Sequence, residues 1–176
     1  MSHFSIAGLQ LELSNQDNFH FIEQEIERVK RVFPWVDMVV LSELSTFGTS
    51  TKLAQPMPGP AEQRYCDIAV NNKLWLITGS LFEQAGEHVY NTSSVINPQG
   101  EVVTRYRKLF PFYPYEKGVT PGEHCVVFDV PEVGRFGISI CYDQWFPEIS
   151  RSLACMGAEV ILCPTLTGTI MRPCEY

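Results

Sequence analysis

Several features that mark common classes of protein are missing from this chain. The opening Met1-Ser-His-Phe-Ser-Ile has no basic segment, long apolar stretch or small-residue cleavage site of the kind that directs export, and no apolar run approaches membrane-spanning length. A cytoplasmic protein that does not engage a membrane is therefore expected. No two of the six cysteines form a Cys-x-x-Cys pair, and the four histidines are dispersed at positions 3, 20, 88 and 124. Neither a structural metal site nor a disulfide framework is indicated, so the expectation is free thiols, no metal and no cofactor. Positive charge is scarce, with 13 Lys and Arg against 20 Asp and Glu, which removes the electrostatic reason to expect nucleic acid as a partner. Low-complexity runs and fixed-period repeats are absent too. A chain of 176 residues that is 45% hydrophobic and 19% charged reads as one globular domain over 1–176.

What is present alternates between strand and helix signals. Residues 4–11 alternate in a strand-like way, and from Asn18 the apolar Phe19, Ile22, Ile26, Val29 and Phe33 recur at helical spacing until Pro34. Residues 37–41 form a short apolar run suited to a strand covered on both faces, with Ser42-Glu43 at its end. Pro60 can open a helix that stops near Asn71-Asn72. Residues 74–81 read as a buried strand, and residues 89–96 and 101–106 as a hairpin about Asn97-Pro-Gln-Gly100. After a proline- and glycine-rich loop, residues 125–130, 136–141 and 160–163 read as strands, the last one buried, with a helix starting at Pro147. The class is α/β with a mixed sheet, and ligands in such folds gather at the C-terminal ends of strands. Glu43, Cys141 and Thr165 fall at such ends, and Lys108 closes the hairpin.

Cys141 stands where a strand breaks toward a helix, so its side chain is clear of both elements and close to the first unpaired N–H groups of the turn. Alone, a cysteine in an apolar segment is usually a small core residue, a glutamate after a strand a cap, and a lysine in a basic cluster such as Arg105-Tyr-Arg-Lys108 a solvated charge. Their joint occurrence, each with its flanks, changes the reading. Leu41-Ser-Glu43-Leu-Ser-Thr-Phe-Gly48, Tyr106-Arg-Lys108-Leu-Phe-Pro111 and Ile140-Cys141-Tyr-Asp-Gln-Trp-Phe-Pro-Glu148 resemble, in order and spacing, the three catalytic segments of the carbon–nitrogen hydrolase (nitrilase) superfamily. Tyr115-Glu116-Lys-Gly-Val-Thr-Pro-Gly122 is similar to the loop that carries a second glutamate in that family.

The resemblance implies a four-layer α-β-β-α sandwich and a Glu-Lys-Cys triad in which Cys141 is the nucleophile, Glu43 the general base, Lys108 the cation beside the oxyanion and Glu116 the residue that orients Lys108. It also implies substrate contacts from Tyr142, whose backbone N–H joins Lys108 at the oxyanion, and from Trp145 and Thr165. The chemistry needs these types. A free cysteine is only a few per cent thiolate at neutral pH, so it requires a neighbouring base or cation, and the charge growing on the substrate oxygen requires donors. The expected activity is hydrolysis of a small amide or N-carbamoyl amine through a cysteine thioester with release of ammonia. Tyr142-Asp143 after the cysteine resembles the amidase and N-carbamoyl branches more than the true nitrilases. A catalytically silent binding or assembly protein of the same fold is the alternative, separated from the first reading by whether Cys141 is alkylated ahead of the other thiols. Family members continue beyond the strand ending near Cys163, and the segment 167–176 matches them only at its start. An incomplete sandwich with open edges is therefore expected, and with it association into a homo-oligomer.

Overall fold

The computed structural model describes residues 3–113 and 115–166; Pro114 of the expected loop and the segment 167–176 lie outside the described residues. The expected elements are present, ordered β1 (Ile6–Leu9), α1 (Phe19–Val32), β2 (Met38–Leu41), α2 (Pro60–Asn72), β3 (Trp75–Ile77), β4 (Leu81–Ala85), β5 (His88–Ile96), β6 (Val102–Arg107), β7 (Val126–Val130), β8 (Gly134–Ile138), α3 (Pro147–Cys155) and β9 (Val160–Leu162). They form two sheets. The first is mixed, with β1, β2 and β3 parallel, β3 antiparallel to β5, and β4 and β6 both antiparallel to β5; the second runs β7-β8-β9.

Two apolar cores bind four layers. Phe19, Ile22 and Ile26 of α1 and Tyr65, Ile68 and Ala69 of α2 pack against Val39, Leu41 and Leu76 on one face of the first sheet. Each such aliphatic side chain, fully buried, stabilises the fold by about 1.5–3 kcal/mol. The opposite face supplies Met38, Ile77, Val95 and Tyr106, which meet Phe128, Phe136, Ile138 and Leu162 of the second sheet. On the far side of that sheet lies α3, where the Leu153 side chain comes so close to Gly137 that an added Cβ would stand 3.1 Å from it. The order is thus α-β-β-α.

Three expectations are corrected in detail. The single strand expected over 74–81 is two, β3 and β4, lying end to end along β5. Gly79 divides them with φ +68°, and a Cβ there would stand 1.9 Å from the Ser42 carbonyl oxygen, so only glycine lets the chain pass this close to the end of β2. The strand expected over 136–141 ends at Ile138, and Cys141 opens a short 3-10 turn, Cys141–Trp145, that precedes α3. Finally, β9 is not fully buried: Val160 and Ile161 are 41% and 37% exposed, for among the described residues β9 pairs only with β8. Among the described residues no helix is long and apolar enough to cross a membrane.

Candidate active site

Three chain segments deliver charged groups into one buried space. Glu43 follows β2 directly, and its segment is fixed by the Leu44 N–H, which donates to Ser80 Oγ at 2.9 Å just after the Gly79 break. Lys108 follows β6, its own N–H donating to the Asn91 carbonyl at 2.8 Å. Glu116 sits in the loop beyond, where its Oε2 accepts from the Phe112 N–H at 2.6 Å. Lys108 Nζ lies between the carboxylates, 2.7 Å from Glu43 Oε1 and 2.6 Å from Glu116 Oε2, and all three side chains are at most 7% exposed. Burial alone would favour a neutral amine, but the two carboxylates outweigh it and hold Lys108 above its ordinary pKa. The lysine is a fixed positive charge.

Cys141 adopts φ +47°, a left-handed conformation that a non-glycine residue occupies at a cost of about 1–3 kcal/mol. Several bonds hold it there. The Cys141 N–H donates to the Pro164 carbonyl at 2.9 Å, and Asp143 Oδ2 accepts from the Ile140 N–H at 2.9 Å. Asp143 is fully buried, and its other contacts run to the lysine strand: the Tyr106 hydroxyl donates to Oδ2 at 2.7 Å and the Phe110 N–H to Oδ1 at 2.8 Å. Burial raises the Asp143 pKa, an effect these donors partly offset.

Burial first, then the negative charge and hydrogen bond of Glu43, push Cys141 up to about 12 against the lesser opposing pull of Lys108. Burial and the charge of Glu43 thus both favour the protonated form of the resting sulfur. The sulfur also points at the Leu166 carbonyl, 3.8 Å away, while the Leu166 N–H donates to Glu43 Oε2 at 3.1 Å.

The proposed substrate contacts divide. Tyr142 is half-buried, its ring 4.7 Å from that of Phe112 and 5.4 Å from that of Phe146. Trp145 packs on Tyr142 with ring centroids 5.7 Å apart but is largely exposed. Thr165 turns away, its hydroxyl donating to the Cys163 carbonyl at 3.1 Å, and the backbone of Leu166 takes the place expected for it. The basic cluster also divides: Arg105 and Arg107 pair bidentately with buried Glu62 and Glu83, and only Lys108 enters the site.

Sequence reasoning missed Asn91. Its side-chain amide donates to Glu43 Oε1 at 3.0 Å and to Glu116 Oε1 at 2.8 Å. A signal existed, because Asn91-Thr-Ser-Ser94 is a polar run inside a strand, and all four residues are fully buried. Among the described residues no group of His, Cys, Asp and Glu could hold a metal ion.

Comparison with known proteins bears on the family and the fold. The model of the carbon-nitrogen hydrolase family matches residues 5–173. A formamidase from Bacillus cereus is 30% identical over 92% of this chain and 53% of its own length, so the chain spans about half the length of the curated relatives it matches. Among solved structures, Saccharomyces cerevisiae Nit3, a member of branch 10 of the nitrilase superfamily, superposes with TM-score 0.86 and 28% identity, covering 98% of this chain and 68% of that one. An amidase from Nesterenkonia sp. AN1, seen after Michael addition of acrylamide at its active-site cysteine, superposes with TM-score 0.83 and 26% identity over 93% of this chain and 67% of that one.

Proposed function

The chain belongs to the carbon–nitrogen hydrolase family, and from that membership together with the buried charges beside Cys141 we propose that it is a thiol amidohydrolase acting on small carboxamides. The observation that carries this reading is Lys108 Nζ, held 2.7 and 2.6 Å from two buried carboxylates and so charged and immobile where a carbonyl oxygen can meet it. Two of its protons are engaged by Glu43 and Glu116, which leaves one for substrate.

The steps follow from the groups in place. Cys141 Sγ attacks the amide carbon while its proton passes to Glu43, and the oxyanion is met by Lys108 and by the N–H of Tyr142, which stands among the first amides of the 3-10 turn. Glu43 returns the proton to the nitrogen, the carbon–nitrogen bond breaks, ammonia leaves and a thioester remains. Water then gives a proton to Glu43, attacks the thioester and releases the acid, and the sulfur takes its proton back. Base catalysis of this kind is typically worth about 10²–10⁴ in rate, and one oxyanion donor about 3–4 kcal/mol.

Asp143 bears on the substrate only through the scaffold, since both its oxygens are bound within the protein. The Tyr142-Asp143 pair therefore favours a small amide without separating it from an N-carbamoyl amine. Self-association belongs to the same proposal, for β9 ends the second sheet with two apolar side chains exposed. The test is ammonia release from a panel of small amides, formamide among them, with N-carbamoyl amines and nitriles as comparisons. Turnover of at least one amide, abolished in Cys141→Ala and Glu43→Gln, is expected; turnover that survives Cys141→Ala would sink the nucleophile assignment, and none with any amide would favour a silent protein of the same fold.

A further inference from the structure

We propose that Asn91 is a positioning residue of this site: from the middle of β5 its amide donates one N–H to Glu43 and the other to Glu116, holding both carboxylates in place about Lys108. The inference rests on the amidohydrolase reading for the work these groups do, and goes beyond it by assigning a neutral residue to their placement.

The cluster is unbalanced in charge, with the two carboxylates Glu43 and Glu116 against the one cation Lys108, on side chains at most 7% exposed. Two carboxylates about one cation repel each other, and two N–H donors from one amide, each bonded to a different carboxylate, offset that repulsion and hold both against Lys108. Every carboxylate oxygen then has a donor. Glu43 Oε1 accepts from Lys108 and Asn91, and Oε2 from the Leu166 N–H; Glu116 Oε1 accepts from Asn91, and Oε2 from Lys108 and the Phe112 N–H.

A second observation concerns the other end of the amide. Asn91 Oδ1 is buried and has no hydrogen-bond partner among the described residues. Turning the amide over would set that oxygen against two carboxylates, so the site tolerates an orphan acceptor in order to aim both N–H groups at Glu43 and Glu116. The surrounding charges do not provide the same service. Glu83 on β4 is occupied by Arg107 and Thr92, and Asp143 reaches the cluster only through its attraction to Lys108. Cys141 faces Glu43 with a protonated thiol.

The test follows the pH dependence of Cys141 alkylation by iodoacetamide, read by peptide mapping so that the other thiols serve as internal controls. Sulfur attack that needs Glu43 as proton acceptor slows once Glu43 is protonated, which produces an acid limb in the profile whether or not any amide is turned over. In Asn91→Leu, similar in volume but without donors, the limb is expected to move to higher pH. In Asn91→Asp, which adds a third negative charge, it is expected to move further. Asn91→Ser serves as the third arm where either variant fails to fold, as judged by circular dichroism. A limb that stays in place in folded variants, with only the melting temperature or overall rate altered, would overturn the proposal and leave Asn91 a packing residue. Absence of any acid limb in the native protein would overturn both this proposal and the role of Glu43 as base. A clear limb without ammonia release from any amide would overturn the hydrolase reading alone, and the position of the limb in the variants would still decide the role of Asn91.

Discussion

Tyr106 and Asp143 are joined by a 2.7 Å hydrogen bond, and each stands two residues from a member of the site, Tyr106 before Lys108 and Asp143 after Cys141. One buried bond thus couples the strand that delivers the cation to the turn that delivers the thiol. Its donor is dedicated to this task, since burial and the neighbouring carboxylate drive the Tyr106 pKa far upward and keep the phenol protonated at any working pH. The Cys141 turn and Lys108 are consequently placed relative to one another by two buried side chains bonded to each other.

Tyr106→Phe should therefore separate position from packing. The ring still fills its place between the sheets, while Asp143 Oδ2 keeps only the Ile140 N–H. Loss of a buried hydrogen bond to a charged acceptor is expected to cost about 1.5–3 kcal/mol in chemical denaturation. If the bond sets the distance between Lys108 and Cys141, kcat on a competent amide falls by up to about 10²-fold with little change in KM. An unchanged kcat alongside the stability loss would reduce the bond to a structural tie.

Gly79→Ala tests how Glu43 is held. An added Cβ would stand 1.9 Å from the Ser42 carbonyl oxygen, at a φ that side chains rarely adopt, and neither backbone can yield without moving the other. The left-handed conformation alone costs about 1–3 kcal/mol. The expected outcome is a lowered melting temperature together with reduced alkylation of Cys141, because Ser42 is the residue before Glu43. Full alkylation in a destabilised variant would show that the β2 end and the site move independently.

Much of this arrangement was legible in the sequence because its strongest signals are local. The 3.6-residue recurrence of Phe19, Ile22 and Ile26 fixes α1, Pro60 opens α2, and Asn97 to Gly100 closes the β5–β6 hairpin, each through short-range physics. Glu43, Lys108, Glu116 and Cys141 were identifiable from the residues flanking them. What escaped depends on contacts distant in the chain. The break at Gly79 is dictated by the passage of Ser42, 37 positions earlier in the numbering, and no periodicity in residues 74–81 reports it. Asn91 lies 48 positions from Glu43 and 25 from Glu116, so its two bonds exist only once the first sheet and the following loop are assembled. Thr165 was named as a substrate contact at a strand end, whereas the groups that meet Glu43 and Cys141 are the N–H and carbonyl of Leu166, which every residue type carries.

The charge pattern also fixes the alkaline behaviour of the site. Lys108 has a folded-state pKa raised above its unfolded value by Glu43 and Glu116 against the penalty of burial, so the stabilisation it contributes is complete below the ordinary lysine range and is lost as pH rises through the higher folded value. Glu116→Gln removes one of the two charges that raise it. The amide also sets its own N–H groups near the Asn91 amide, which already donates to this position, so a further cost of about 1–3 kcal/mol is expected from the disrupted bonding. In a kcat/KM profile on a competent amide, the alkaline limb of Glu116→Gln should therefore lie at lower pH than that of the native protein. Replacing the cation outright, in Lys108→Met, should be more damaging. It leaves Glu43 and Glu116 buried without their counter-charge, a change that costs about 3–5 kcal/mol when a buried pair is broken by loss of one partner. That loss should shrink on acidification, as protonation of a carboxylate relieves the repulsion. A Glu116→Gln profile whose alkaline limb coincides with that of the native protein would mean that Lys108 does not govern that limb, and would remove the lysine from the oxyanion role.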